Sequence, residues 1–197
     1  WPGDVSVDSR EHIVIADTLN GRVRRVDEKG IVQSIAGTGQ GFDSGDEGPA
    51  ISASFVSVLS VAHGADDDIY VGDSVGRIRK INSHTGIIST VAGTGVHGYA
   101  GDGGLAVQAR IGAPSAICFD RQGNLYFCDR DYHVVRKVDG DGVISTLAGS
   151  GESGFSPDGT IALESQLNKP YGLAVTADGT VYVSDSLNNR VRRFTLN

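Results

Sequence analysis

The sequence lacks several features that would have placed it in a compartment or a membrane. No apolar run approaches the roughly 20 residues that a membrane-spanning helix needs, so no membrane span is expected. The first residues, Trp1-Pro2-Gly3-Asp4, do not form a signal-peptide pattern, and the chain contains no methionine. We therefore expect a processed product or a piece of a longer polypeptide. The localisation stays open.

Cysteine and basic residues are also scarce. The two cysteines, Cys118 and Cys128, are too few for a disulfide framework and are interpreted as small buried residues, with a disulfide or redox pair as the alternative. Seventeen Lys and Arg face 24 Asp and Glu, a net charge of −7. A protein that binds phosphate backbones normally carries a basic patch, so no nucleic acid partner is expected.

An internal repeat of 56 residues dominates what is present. Four apolar segments end in an aspartate at that interval, namely Asp17, Asp73, Asp129 and Asp185. The dipeptide Ala-Gly recurs at 36–37, 92–93 and 148–149, and the loop residues Asp46, Asp102 and Asp158 keep the same spacing. Periods of this length are typical of propellers and other repeat architectures.

Each repeat contains four short runs rich in β-branched and aromatic residues, separated by Gly, Asp and Asn turns. In the third repeat, the predicted strands are 115–120, 125–129, 134–138 and 143–148. A lone four-stranded meander leaves both faces exposed, so the copies must pack side by side. The pattern predicts an all-β propeller of four-stranded antiparallel blades.

About four blades are predicted, three complete and one with three strands, in a single domain 1–197. The predicted repeats are 2–57, 58–113, 114–169 and 170–197. No spare strand precedes Trp1 to close the ring, so we expect part of a larger ring, or an open edge completed by missing chain or a partner. A free-standing four-bladed propeller is the alternative.

The fourth repeat supplies a family resemblance. Its residues 170–175 (Pro-Tyr-Gly-Leu-Ala-Val), 178–185 (Asp-Gly-Thr-Val-Tyr-Val-Ser-Asp) and 188–193 (Asn-Asn-Arg-Val-Arg-Arg) resemble the NHL-repeat β-propellers. The stretches 88–95 and 101–104 are similar to long-loop members. The resemblance implies the fold, often with six blades, and says little about activity, since the family includes RNA-binding, sensing, adhesion and enzymatic members.

Two departures from the repeat stand out. The second repeat lacks one residue in the turn between its second and third strands, and the third has Val134 where others carry arginine, beside His133.

An acidic face is the main candidate site. The long loops 38–57, 94–113 and 150–169 are expected to emerge on the same face as the turns between the second and third strands. Together they carry −6 of the net charge. The candidate partner contacts are Asp43, Asp46, Glu47, Asp102, Asp158, His97 and His133. Such a face steers a cationic partner, although long solvated loops carry acids by default.

The aspartates that recur in every repeat are interpreted as structural. Asp17, Asp73, Asp129 and Asp185 are expected to accept backbone N–H bonds at strand ends, and Arg22, Arg77 and Arg190 are expected as their partners. A residue present in each blade belongs to the scaffold, whereas catalysis needs an asymmetric group.

Metal, cofactor and catalytic residues are not assigned. Residues 43–48 resemble a calcium loop superficially but lack the spacing and final glutamate of an EF-hand, so Ca²⁺ is only an alternative. The five histidines occupy non-equivalent positions, and His63 is interpreted as a half-buried packing residue. The glycine-rich loops lack the Lys-Ser/Thr pair of a phosphate-binding loop.

Three functions follow, in order of preference. The first is a non-catalytic protein-binding or ligand-binding scaffold that uses the acidic face. The second, by resemblance to propeller lactonases and the peptide-amidating lyase, is a metal-dependent hydrolase or lyase with a site in the central channel. The third is RNA binding, as in tripartite-motif relatives, which the charge disfavours.

Overall fold

The structure, a computed structural model, describes residues 1–195 of the chain. Four antiparallel sheets follow one another along the chain, and each packs face to face against the next as a blade of a β-propeller. The predicted all-β propeller is therefore confirmed. The division into repeats stays a prediction, and the last two residues of the predicted repeat 170–197 lie outside the described part of the chain.

Each blade is a meander whose first strand lies nearest the propeller axis. Blade 1 contains β1 (Pro2–Val7), β2 (Ile13–Asp17), β3 (Arg22–Val26) and β4 (Val32–Ala36). Blade 2 contains β6 (Val58–His63), β7 (Ile69–Asp73), β8 (Arg77–Ile81) and β9 (Ile87–Ala92), with β5 (Gly48–Pro49) added at its outer edge. Blade 3 contains β10 (Pro114–Phe119), β11 (Leu125–Asp129), β12 (Val134–Val138) and β13 (Ile144–Ala148). Blade 4 has β14 (Pro170–Val175), β15 (Thr180–Asp185) and β16 (Arg190–Thr195).

Helical structure in residues 1–195 is limited to six 3₁₀ turns of three residues. They are Thr18–Asn20, Ala50–Ser52, Ala106–Gln108, Arg130–Tyr132, Ala162–Glu164 and Ser186–Asn188. Over this part of the chain, no helix has the length and apolar character needed to cross a membrane.

The recurring Ala-Gly pairs mark the ends of the outermost strands. Gly37, Gly93 and Gly149 have φ of 93°, 86° and 96°, in the left-handed region that favours glycine. A Cβ atom at each would also collide with a carbonyl oxygen of the preceding turn, at Gly21, Gly76 and His133 respectively. The sequence keeps glycine there because the chain turns sharply from strand into loop against another backbone.

The cores lie between blades. One apolar cluster joins blades 1 and 2, a second joins blades 2 and 3, and a third joins blades 3 and 4. Successive side chains of a strand point to opposite faces of its sheet. The side chains on one face pack against the preceding blade, and those on the other face pack against the following blade. Blade 1 therefore has a face with no blade packed on it in the described structure, and blade 4 has another.

The cysteines are not bonded to each other. Both thiols are free, with Cys128 buried in the core between blades 3 and 4 and Cys118 partly exposed. Burial raises the pKa of Cys118 to about 12 and that of Cys128 well above its usual value. Both are therefore protonated, unreactive thiols at neutral pH.

Candidate functional site

The long loops do more than cover one face of the propeller. Each leaves the outermost strand of one blade, runs over the outer edge of the next blade and then enters that blade's innermost strand. Gly48 and Pro49 pair with Ile88 and Ile87 of β9, and Leu105 forms a bridge to Val143 beside β13. We call the exposed residues of loops 38–57, 94–113 and 150–169 the loop surface.

A buried arginine fastens the first loop to blade 2. The side chain of Arg79, in β8, is 1% exposed and lies 2.7 Å from the Asp46 carboxylate. It also donates to the carbonyl oxygens of Ser54 and Ser44, at 3.1 and 2.9 Å. Its guanidinium stacks 5.1 Å from the Phe55 ring centre. A guanidinium this deeply buried is tolerated because a carboxylate and two carbonyl oxygens accept its hydrogen bonds. The loop supplies all of these partners.

The second loop repeats the arrangement on blade 3. Arg136, in β12, is 0% exposed and lies 2.6 Å from Asp102. It also donates to the carbonyl of Arg110 at 3.0 Å, and its guanidinium lies 5.4 Å from the ring centre of Tyr99. Asp102 accepts a further bond from the Thr146 amide of β13 at 3.0 Å. The loop aspartate therefore links two strands of the blade on which its loop rests.

The third loop makes the same contact more loosely. Arg192, in β16, lies 3.6 Å from Asp158, donates to the Ser156 carbonyl at 3.0 Å and lies 5.4 Å from the Phe155 ring centre. The Asp158 side chain is 99% exposed, so solvent screens this pair.

This recurring arginine was not predicted from the sequence. Arg24, Arg79, Arg136 and Arg192 occupy the same place in the third strand of the four blades. Their intervals are not constant, because the second repeat lacks one turn residue ahead of Arg79. Aligning the strands after that deletion would have revealed the recurrence.

The predicted partner contacts on the first loop are partly engaged within the chain. Asp43 lies 3.0 Å from Arg77 and Asp46 pairs with Arg79, whereas Glu47 is exposed. On the other loops, Asp102 is bound to Arg136 and Asp158 is open to solvent. Their role in binding a partner stays a prediction.

The two candidate histidines also hold loops in place. His97 Nε2 lies 2.6 Å from the carbonyl oxygen of Ser74. This contact joins the second long loop to the turn between β7 and β8 of blade 2. His133 occupies the left-handed position, with φ of 57°, and its Nδ1 accepts the amide of Lys169 at 3.1 Å. Burial and the nearby Lys169 ammonium lower the pKa of His133.

Three of the four recurring strand-end aspartates accept backbone N–H groups from the incoming loop, whereas Asp17 accepts the side-chain amide of Asn20 at 2.8 Å. Asp73 accepts from Val56 and Ser57 at 3.1 and 2.9 Å. Asp129 accepts from Gly112 at 3.0 Å and Asp185 from Asn168 at 2.6 Å. Each of these three therefore fixes the end of the loop that enters its own blade.

The predicted pairing of these aspartates with Arg22, Arg77 and Arg190 was wrong. Arg22 donates to the Thr38 carbonyl, Arg77 reaches Asp43, and Arg190 lies over the Phe155 ring. The arginine two residues further along approaches instead, with Arg24 3.5 Å from Asp17 and Arg192 3.7 Å from Asp185. Residues two apart in a strand lie on the same face, so the sequence alone did not show which of the two arginines approaches the aspartate.

A cavity of about 460 Å³ lies on the axis, between the innermost strands of all four blades. Its wall includes Asp4, His63 and Cys118. Burial raises the pKa of Asp4 and lowers that of His63, whose Nδ1 lies 2.8 Å from Ser6 Oγ. The half-buried position predicted for His63 is therefore observed.

A second cavity of about 310 Å³ lies between blades 1 and 2 at the end opposite the loops. It is lined by His12, His63 and His84 together with Asp8 and Asp67. His12 Nδ1 lies 2.7 Å from Asp8, and Asp67 receives the Ser9 amide at 3.0 Å across the two blades. In residues 1–195, no three His, Cys, Asp or Glu side chains form a metal-binding group. Calcium binding and a channel metal stay predictions.

The loop surface carries exposed aliphatic side chains at equivalent positions. Ile51, Val107 and Leu163 lie at the centre of the three loop 3₁₀ turns, 56 residues apart, and all three are exposed. Their neighbours Ala50 and Ala106 are buried. The alanines therefore anchor the turns, while about half of each larger side chain is exposed to solvent.

Two family models match the second half of the chain. The teneurin NHL domain matches residues 96–156, and the NHL repeat matches residues 167–194. The second match covers the Asp185 and Arg192 positions described above. The predicted resemblance to the NHL-repeat β-propellers is therefore confirmed.

Two curated proteins are similar in sequence to this chain. Protein SUPPRESSOR OF QUENCHING 1, chloroplastic, of Arabidopsis thaliana is 28% identical over 177 residues, which is 85% of this chain and 16% of that protein. Teneurin-3 of Mus musculus is 34% identical over 149 residues, 66% of this chain and 5% of that protein. The NHL chain thus spans a small part of these relatives.

Two solved structures share the fold. A protein of unknown function from Bacteroides thetaiotaomicron superposes with a TM-score of 0.79 at 22% identity, covering 98% of this chain and 47% of that one. A streptogramin B lyase superposes with a TM-score of 0.63 at 10% identity, covering 99% of this chain and 54% of that one. At these identities the likeness shows the propeller fold alone.

Proposed function

We propose that this NHL-repeat chain is a non-catalytic scaffold whose loop surface binds a protein partner. The recurring exposed row of Ile51, Val107 and Leu163 carries the proposal. Large aliphatic side chains that are 50%, 45% and 54% exposed and recur at one structural position favour an interaction surface. NHL propellers commonly mediate protein interactions, which supports the same function.

The loop surface offers a partner both apolar and acidic contacts. Glu152, Asp158 and Glu164 are exposed on the third loop, close in sequence to Leu163. Carboxylates around an apolar row favour a partner with exposed apolar groups and basic residues, and they speed its association at low ionic strength. The matching partner surface is therefore apolar with a basic rim.

Mutagenesis must spare the aspartates that hold the loops. Removal of Asp46 or Asp102 leaves a buried guanidinium without its carboxylate, so a loss of binding would reflect damage to the blade. The informative variants are Ile51→Ser with Leu163→Ser for the apolar row, and Glu152→Gln, Asp158→Asn and Glu164→Gln for the charge.

The test is site-specific photo-crosslinking in an extract of the source organism. A photoreactive side chain at position 107 is expected to capture a defined protein, and one at Arg121, in a turn at the opposite end, is not. Capture should fall by about fivefold or more in the apolar variant and at high salt in the wild type. A matched control neutralises Glu11, Glu28 and Asp141 at the opposite end. Equal capture from both positions, or equal loss in the control, contradicts the proposal.

A further inference from the structure

Blade 1 carries the same loop-binding groove as blades 2 and 3, but no loop lies in it within residues 1–195. In blades 2 and 3 the groove consists of the third-strand arginine, a hydroxyl residue on the outermost strand and the exposed edge of that strand. The blade 1 counterparts are Arg24, Ser34 and Val32, by register in the sheet. We call these residues and Gly30 the blade 1 groove.

Burial shows that the blade 1 groove is an uncovered version of the other two. Val32 is 53% exposed, whereas its counterparts Ile88 and Ile144 are 0% exposed. The Arg24 side chain is 36% exposed, against 0% for Arg136. Val5 and Ile13, on the same face, are also exposed although their counterparts in blades 2 and 3 are buried.

The two filled grooves define the chemistry of the occupant. In the second loop, Gly103 donates to the Ile144 carbonyl at 2.8 Å and Ala106 donates to the Gly142 carbonyl at 2.8 Å. In the first loop, Glu47 and Ala50 make the same bonds to Ile88 and Gly86, each at 2.8 Å. In both, an aspartate at the start of this extended segment reaches the arginine and an alanine ends it.

We propose that the blade 1 groove binds an extended loop segment of the kind that fills the grooves of blades 2 and 3. The occupant is an extended segment of the form Asp-Gly-Gly-aliphatic-Ala, which adds to the edge of β4 as a short antiparallel strand and places its carboxylate on Arg24. Edge addition provides main-chain hydrogen bonds, and the charge pair sets the register. This surface is separate from the loop surface, so the two proposals stand or fall independently.

Charge and register both favour such an occupant. Arg24 at present reaches only Ser34 Oγ and, at 3.5 Å, Asp17. Its counterpart Arg79 instead contacts two loop carbonyls and a loop carboxylate. The Trp1 carbonyl already accepts the Thr18 amide at 3.1 Å, as the Ala113 carbonyl accepts that of Arg130 at 3.0 Å. The chain therefore enters blade 1 in the position in which loops enter the other blades.

The first experiment supplies the occupant as a peptide. A synthetic peptide with residues 94–112 of this sequence is titrated into the ¹⁵N-labelled chain. We expect saturable shifts of the Val32 to Ser34 amides, and an affinity about tenfold weaker for the chain variant Arg24→Gln or for a peptide with Asp102→Asn. The two changes combined should cost little more than either alone. Arg25→Gln, with its side chain on the other face of β3, is the matched control.

A second experiment removes weak bimolecular affinity as an explanation for failure. The same 19-residue segment is fused directly before Trp1, in the register that Gly112 has before Ala113. We expect slower hydrogen exchange at Val32 and a melting temperature raised by about 2–4 °C, both lost when the fused aspartate becomes asparagine.

The proposal is overturned if neither the peptide nor the fused segment protects Val32. It is also overturned if the asparagine forms act as well as the aspartate forms, since the pairing with Arg24 then has no role. Sedimentation of the chain alone gives a further check. A dimer that Arg24→Gln dissociates would show that a second copy, and not a loop, covers the groove.

Discussion

Blade 1 and blade 3 have the same four strands and the same third-strand arginine, yet the two arginines differ in environment. Arg136 is fully buried against Asp102 and the Tyr99 ring, whereas Arg24 is partly exposed and reaches only residues of its own blade. The difference comes from outside each blade, because the carboxylate and aromatic ring of Arg136 arrive on a loop from blade 2. In this propeller, the loop from the preceding blade determines whether the third-strand arginine and the outermost strand of a blade are buried.

The largest test removes the carboxylate from the finished blade. Asp102→Ala leaves Arg136 buried without its charge partner and should lower the free energy of unfolding by about 3–5 kcal/mol. Arg24→Met in blade 1 removes an arginine that is already solvated, so it should change that free energy by about 1 kcal/mol or less. Urea denaturation followed by circular dichroism measures both. Similar losses in the two variants would show that the loop contact is not what distinguishes the blades.

The apolar part of the comparison is tested on the outermost strands. Ile144→Ala creates a cavity between blade 3 and the second loop and should cost about 2–5 kcal/mol. Val32→Ala, at the equivalent position in blade 1, removes a half-exposed side chain and should cost about 0.5 kcal/mol or less. The same denaturation assay applies. A large loss for Val32→Ala would mean that the face of blade 1 is already covered in solution.

The third test uses pH. Burial raises the pKa of Asp129 to about 6, from 3.8 in the unfolded chain. Between these values the folded state binds more protons than the unfolded state, so the stability from this group is complete below about pH 4 and lost as the pH rises through 6. The expected loss is on the order of 2–3 kcal/mol.

Denaturation midpoints between pH 3.5 and pH 7 measure this loss, and Asp129→Asn should flatten the change. Burial of the Asp129 carboxylate is the cause of the effect, and one of its oxygens has no hydrogen-bond partner in the described structure. A profile that keeps its slope in Asp129→Asn would assign the pH dependence to another group, such as Asp73, whose pKa burial also raises.

The local features of the fold were predictable from the sequence. In the third repeat, all four predicted strands begin and end within one residue of those observed, and the second and third coincide. Alternation of apolar residues, turn glycines and the constant interval are properties of neighbouring residues, so they can be read without the tertiary structure.

The candidate site was only partly predictable. The sequence indicated that the loops carry acids, but it did not reveal that Asp102 contacts Arg136 on the next blade. That contact joins residues of two repeats, and a one-residue deletion ahead of Arg79 hid the recurrence of its arginine. The exposed row of Ile51, Val107 and Leu163 was missed as well, because the sequence of a loop does not show whether its aliphatic residues are buried or exposed.

The sequence by itself determined the repeat, the four-stranded meander and the glycine turns, since each depends on backbone preferences within a few residues. The tertiary structure decided which aspartates are bound to arginine, which arginine is exposed and which aliphatic side chains face solvent. Equivalent residues of the repeats have the same chemistry. Whether a neighbouring loop arrives, and how closely it packs, gives them different dielectric surroundings and different partners.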